Sequence, residues 1–420
     1  MKKKLPLIGL LFLVFFLIGC DTFIVSPLIP QITRSLNIDS WTGGYLVTMY
    51  SVFYLVFSPI LGPISDRIGR KKMIGIGMIV FSIASFATGL SGNYVLILIS
   101  RSITGIGAAF AAPNVWSFIG DTFKYEERGK ITAIVASALS LGMILGVPIG
   151  SALAQWKNWV VSFYVLGILS ILVGILIFVI FPTVKPSKAA AAAKYSSKFV
   201  KVFKHHNVRR SFIVTFFISF ANFGLYTYLG YWLNKCFALE VSTIGLFMII
   251  AGVGNLIGMQ VGGNISDKLG KKKVVVVSAL IMALSLLLLP IFKANLVLTA
   301  VDIFIWLGAG GASFAVMQVF VTQLNPESRG TIMALNNSFM WTGTAIGSAL
   351  VSLMVKYSSF TVASLICAIG AIAASMTLAL FIKAVIDQVK SFETSNETPL
   401  EDTLSIADTV HGANELQDLP

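Results

Sequence analysis

The sequence predicts an all-α polytopic membrane protein, with twelve transmembrane helices in two pseudo-symmetric six-helix halves. Three observations carry that expectation. Of the 420 residues, 56% are hydrophobic and only 12% charged, where a soluble domain has roughly 25% charged residues; mean hydropathy is +0.86. Apolar stretches of about 20 residues, the length that crosses a bilayer, recur from Leu5 almost to Ile382. A charged segment also returns at a fixed offset, which divides the chain into equivalent halves.

In chain order, the stretches 5–30, 41–63, 73–91, 95–119, 130–154 and 159–181 build the first half, residues 1–181. The first stretch has two readings. Leu17-Ile18-Gly19-Cys20, after Met-Lys-Lys-Lys, has the form of a lipoprotein cleavage box, which would discard everything before Cys20. However, Phe23 to Ile32 continues without a charge, so the expected element is one intact span with the carboxyl group of Asp21 embedded in it. Residues 182–209 read as a cytoplasmic linker. With Ala189 to Ala193 and eight basic residues from Lys185 to Arg210, it suits anionic lipid headgroups. The stretches 210–234, 242–264, 274–292, 296–319, 331–355 and 359–383 form the second half, residues 210–385. Residues 386–420 are acidic and polar, as in a disordered tail.

The net charge of +13 does not call for nucleic acid. With the N-terminus inside, 25 of the 31 Lys and Arg fall on the inner segments, five on outer loops, and Arg101 within a span. That asymmetry is the positive-inside pattern and predicts two cytoplasmic termini in the cell membrane. Cys20, Cys236 and Cys367 lie far apart and offer neither a disulfide framework nor metal-ligand spacing. Phosphate-binding loop, zinc-helix and nucleophile-elbow motifs are missing from the sequence. The expectation is therefore a non-enzyme with no cofactor and no metal.

The repeat is explicit. Gly62-Pro-Ile-Ser-Asp66-Arg67-Ile-Gly69-Arg70-Lys71-Lys72 returns as Gly263-Asn-Ile-Ser-Asp267-Lys268-Leu-Gly270-Lys271-Lys272-Lys273, an offset of 201. The same shift carries Arg128-Gly129 onto Arg329-Gly330, Gly142 onto Gly343 and Gly146 onto Gly347. It also carries Asp21 onto Asn222, inside the seventh span, and Arg101 onto Asp302. Two six-span halves of equal orientation are related by an axis along the membrane normal.

Over residues 5 to 385 this organisation resembles the major facilitator superfamily. Gly62 to Lys72 is similar to that family's loop motif between spans 2 and 3. The resemblance implies a secondary transporter in which two halves rock about a central cavity. It implies that Asp66 meets the start of span 11 near Gly330 and Thr331, where a helix dipole favours a carboxylate. Asp267 would do the same near Gly129. With Gly62, Arg67, Gly69 and Gly270 these residues form a conformational latch, and Arg70 with Asp121 a second element of it.

Arg101-Ser-Ile-Thr-Gly105-Ile-Gly107 resembles the arginine motif of proton-coupled members. A guanidinium inside hydrocarbon costs about 3 kcal/mol or more unless it is paired or faces water. Arg101 is therefore expected to line the central cavity, with Asp302 opposite as a substrate contact or transient ion partner. Asp21-Thr-Phe-Ile-Val-Ser-Pro-Leu-Ile-Pro resembles the family's first-span motif, which makes Asp21 the leading proton site beside Arg101 and Asp302. Gly142-x-x-x-Gly146-Val-Pro148-Ile-Gly150 resembles the antiporter motif, where glycines permit close packing and proline bends the helix. Its form is closer to the sugar and metabolite efflux variant than to the multidrug form. Span 7 is rich in aromatics. A lipid-interface belt accounts for Tyr226 to Trp232, while Phe220 and Phe223 suit a pocket with Asn114, Asn222 and Asn336 as polar anchors.

Together these readings give a monomeric drug:proton antiporter or metabolite efflux protein that exchanges protons for a small lipophilic or cationic compound or drug. Alternatives are an exporter of an endogenous metabolite, sugar or siderophore, an importer of the same fold, and a membrane sensor without transport.

Overall fold

Inside lipid a backbone has no water to bond, so a chain that crosses it repeatedly must satisfy each peptide group within a helix or a closed barrel. Here it does so with helices throughout. The computed structural model of the chain describes residues 5–182, 206–324 and 329–380. Most of the expected linker and all of the expected tail lie outside these residues, as do the side chains of Gly62, Asp66, Gly330 and Thr331.

Among the described residues there are twelve long helices. They are α1 (Leu5–Ser35), α2 (Tyr45–Ile68), α3 (Arg70–Leu90), α4 (Tyr94–Thr122) and α5, which runs as Tyr125–Leu141, a π turn Gly142–Gly146 and Val147–Trp156. They continue with α6 (Trp159–Ile180), α7 (His206–Phe237), α8 (Val241–Leu269), α9 (Lys271–Leu288), α10 (Leu296–Gln323), α11 (Arg329–Tyr357) and α12 (Phe360–Leu380). Each matches one expected apolar stretch, extended at most ends by up to a turn or two. α7 starts at His206, so the last four residues read as linker belong to the helix.

Eleven of the twelve are long and apolar enough to cross a membrane. The exception, α9, has 18 residues and opens with Lys271-Lys272-Lys273, which leaves it a short apolar body. α1 passes unbroken through Cys20 and Asp21, both buried, as the intact-span reading requires.

The repeat is visible in the backbone. Gly69 and Gly270, one offset apart, are the two glycines with positive φ among the described residues, at 97° and 86°. Each ends one helix and begins the next, donating its N–H to Ser65 or Ser266 and accepting from Met73 or Val274. A side chain rarely adopts that conformation, so glycine is required for the sharp turn.

Close packing follows small residues, as expected where apolar lipid gives helices no hydrophobic reason to associate. A Cβ on Gly77 of α3 would stand 2.8 Å from the Gly107 carbonyl oxygen of α4, and one on Gly262 of α8 would stand 2.7 Å from Ala312 of α10. α3 also packs on α6, where Ser82 donates to the Gly167 carbonyl at 2.7 Å. The equivalent helices α9 and α12 are joined from Ser364 to Leu286 and from Ser375 to Val276. Between the halves, α1 packs on α7, α2 on α11 and α5 on α8.

Candidate transport site

The site begins at the middle of α1. Gly142 and Gly146 on α5 bring that helix against α1. A Cβ at Gly142 would lie 2.7 Å from the Phe16 carbonyl oxygen, one at Gly146 would collide with the Cys20 sulfur, and one at Gly150 with the Ile24 side chain. Glycine is a steric requirement at 142, where the neighbours are α1 backbone atoms, while at 146 and 150 a side chain of α1 would have to move. Pro148 has no N–H, and just before it Val147 donates five residues back to Gly142, so the predicted proline distortion takes the form of a π turn.

Asp21, the next residue on α1, is completely buried, and Arg101 on α4 is 1% exposed. Arg101 Nη1 donates to Asp21 Oδ1 at 2.7 Å. The guanidinium carbon also lies 5.1 Å from the ring centre of Tyr50 on α2 and 5.9 Å from that of Phe163 on α6. Arg101 thus does not line an open cavity as the sequence suggested. It is enclosed within the first half among α1, α2 and α6, and its charge is offset by pairing and by aromatic faces. The pairing is incomplete: Asp21 Oδ2 and Arg101 Nε have no hydrogen-bond partner among the described residues, while the Tyr50 hydroxyl stands beside Thr22 of α1.

The equivalent positions of the second half are Asn222 and Asp302, 2% and 4% exposed. Asn222 Oδ1 and Asp302 Oδ2 likewise have no partner among the described residues. Asn222 faces Gly310, where a Cβ would lie 2.5 Å from its Oδ1. Asp302 is eight residues before Gly310, about 12 Å along the helix at 1.5 Å per residue. Arginine can reach over part of such a span and aspartate cannot. Arg101 is therefore taken up by Asp21, while Asp302 stands beside Ser285 of α9.

Of the expected anchors, Asn336 joins a buried network between helices of the second half. Thr215 of α7 donates to its Oδ1 at 2.7 Å, and its Nδ2 donates to Gln318 of α10 at 3.1 Å. Asn114 turns back to the Phe110 carbonyl of its own helix. Phe223 meets Phe23 of α1 across the halves, ring centres 6.1 Å apart. Phe220 does not join them, because its ring packs against Gly370 of α12.

The belt reading of Tyr226 to Trp232 is overturned. Tyr226, Tyr228 and Trp232 are 3%, 0% and 4% exposed, because α7 is an inner helix whose rings face protein rather than lipid. Tyr226 and Tyr228 take part in a seam that joins the halves at the end of the bundle carrying Ser40–Gly44, while Trp232 stacks on Phe360 of α12 within the second half. The Tyr228 hydroxyl donates to the Trp41 carbonyl and accepts from the Gly44 N–H at 2.9 Å. Ser26 donates to the Tyr226 carbonyl at 2.7 Å and accepts from Gly230 at 3.1 Å. Thr48 and Ser348 meet at 2.8 Å, and Gln155 bridges to Glu240 and Ser242. None of these contacts carried a sequence signal beyond a polar residue in an apolar run.

At the opposite end, Arg70 donates to Asp121 at 3.2 Å and also to Ser65. Arg67 and Asp267 are exposed there. The expected contact of Asp66 with Gly330 and Thr331 lies outside the described side chains.

Among the described residues, twelve long helices, eleven of them of membrane-spanning length and character, lie in equivalent halves joined by a polar seam, the architecture of a multi-pass membrane protein. The sequence profile of the Major Facilitator Superfamily matches residues 11–239 and 211–408, and the chain belongs to that family of secondary transporters, which move small molecules and are not enzymes. It is 30% identical over 349 residues to the uncharacterized MFS-type transporter YceJ of Bacillus subtilis (strain 168), covering 83% of this chain and 89% of that one. It is also 30% identical to the bacillibactin exporter of the same organism, over 88% of this chain and 94% of that one. Identity to Multidrug resistance protein 2 of that organism is 24%, over 78% and 83% of the two chains. The fold is similar to the crystal structure of a D-xylose-proton symporter, with a TM-score of 0.78 and 19% identity, covering 89% of this chain and 97% of that one.

Proposed function

We propose that this chain is a proton-coupled exporter of the drug:proton antiporter or metabolite efflux branch, with both termini cytoplasmic. Its halves, 1–181 and 210–385, would rock about the seam, with Arg70, Asp121 and the Asp66 region as the latch at the cytoplasmic end. The observation that carries this reading is the under-satisfied Asp21–Arg101 pair, fully enclosed at the centre of the membrane fold. Ionisable residues at such depth are costly and are kept for function. A proton arriving at Asp21 removes its charge and frees the guanidinium, and departure of the proton restores the pair. Asp302 is a second candidate proton carrier. Among the described residues it has no cation beside it, and an unpaired ionised carboxylate in hydrocarbon is the costly state.

The substrate is a small lipophilic or cationic compound, held by apolar walls with the Thr215, Asn336 and Gln318 network as polar contact. A second reading, export of a siderophore or another endogenous metabolite, is supported by the similarity to the bacillibactin exporter and by the Gly-Val-Pro-Ile-Gly form around Pro148. Everted vesicles containing the full chain separate the readings. Ethidium uptake driven by an inside-acid gradient, and lost in Asp21→Asn, supports the first. Bacillibactin uptake without ethidium uptake supports the second. Solute movement indifferent to the gradient would sink proton coupling.

A further inference from the structure

Tyr50 lies between the ion pair and the other half of the molecule. Its ring carries the Arg101 guanidinium at 5.1 Å on the first half. It also meets the ring of Trp341, on α11 of the second half, at 5.4 Å. Tyr54, one turn further along α2, lies 4.6 Å from the same tryptophan. Tyr50 is 1% exposed and Trp341 8%, so both rings are enclosed by protein rather than by solvent or lipid. The backbone of α2 at Tyr50 is itself packed against α4 at Gly105, where a Cβ would collide with the Tyr50 carbonyl. The series Asp21, Arg101, Tyr50, Trp341 thus runs continuously from the proposed proton site across the interface between the halves.

We infer that Tyr50 is the positioning residue that transmits the charge state of the Asp21–Arg101 pair to Trp341, and so to the second half. The inference rests on the proton-coupled reading for its purpose, but its geometry is independent of any substrate. In the present arrangement the guanidinium is held by the Asp21 carboxylate and two rings. Neutralising Asp21 removes the strongest of these attractions and leaves the ring of Tyr50 as a principal partner. Because Asp21 Oδ2 and Arg101 Nε have no hydrogen-bond partner among the described residues, rearrangement of the pair breaks the one hydrogen bond from Arg101 Nη1 to Asp21 Oδ1. The titratable groups near the pair are Cys20 from α1 and Tyr50 and Tyr54 from α2. α6 presents Phe163 and α5 presents Gly142 and Gly146, none of which titrates.

The test uses the full chain in detergent with its seven tryptophans labelled as 5-fluorotryptophan, and Trp341 assigned from the fluorine signal missing in Trp341→Phe. Asp21→Asn, which mimics the protonated acid, is expected to shift the Trp341 resonance by more than its linewidth. In the Tyr50→Leu background the same change should leave it in place. In Tyr50→Phe, which keeps the ring, the shift should persist, and its persistence separates transmission through the ring from a general loss of packing. A Trp341 signal that ignores Asp21→Asn, or that shifts equally in Tyr50→Leu, overturns the inference. Failure of proton coupling itself would instead appear in the wild-type vesicles, with no bearing on these resonances.

Discussion

The two halves place the same scaffold around different chemistry. At one pair of equivalent positions the first half holds Asp21 and Arg101, bonded at 2.7 Å. The second half holds Asn222 and Asp302, each with an unpartnered oxygen. The surrounding architecture is retained: matching left-handed glycines at 69 and 270, matching glycine contacts of α5 on α1 and α11 on α7, and matching α3–α6 and α9–α12 packing. The difference teaches that the scaffold tolerates either solution, and that among the described residues the buried charge pair that one proton can open or close lies in the first half.

Four outcomes would break or sharpen that contrast. The largest concerns the pair itself. Asp21→Asn leaves Arg101 enclosed without its counter-charge and should lower stability by about 3–5 kcal/mol, whereas Asp21→Asn with Arg101→Met should recover most of that loss. Thermal unfolding of the purified protein in detergent reads both. Next come the α5 contacts. Gly142→Ala or Gly146→Ala should cost about 1–3 kcal/mol by overpacking α1, visible as a lowered melting temperature.

If the halves are equivalent in scaffold, Gly69→Ala and Gly270→Ala should each cost about 1–3 kcal/mol from backbone strain, and by similar amounts. Strongly unequal losses would limit the equivalence. The smallest effect is expected at Asp302. Its replacement by asparagine removes no ion pair among the described residues and should change stability by about 1 kcal/mol or less. A loss as large as that of Asp21→Asn would mean that the second half hides a pair of its own.

Much of this molecule was legible in the chain because lipid permits so few answers. Apolar stretches of spanning length became helices, and the offset of 201 located Gly69 against Gly270 before any geometry was known. Which side chains meet was much less legible. Arg101 was recognised as costly, and pairing was one of two ways to offset it. Its partner lies 80 residues away in sequence, and the repeat pointed to Asp302 instead. The rings of Tyr226, Tyr228 and Trp232 had the composition of a lipid-facing belt, since hydropathy cannot tell a lipid-facing surface from a helix-facing one on an inner helix. Tyr50 and Trp341 carried no signal, because an aromatic residue in an apolar span is ordinary until its neighbours are known.

The central claim, that the Asp21–Arg101 pair couples proton movement to transport, is tested most directly by proton flux. Everted vesicles are energised to an inside-acid gradient reported by acridine orange, and ethidium is then added. Wild-type protein is predicted to release protons on addition, seen as recovery of fluorescence, and Asp21→Asn to give none although it is present in the membrane. Proton release from Asp21→Asn equal to that of the wild type would contradict the account.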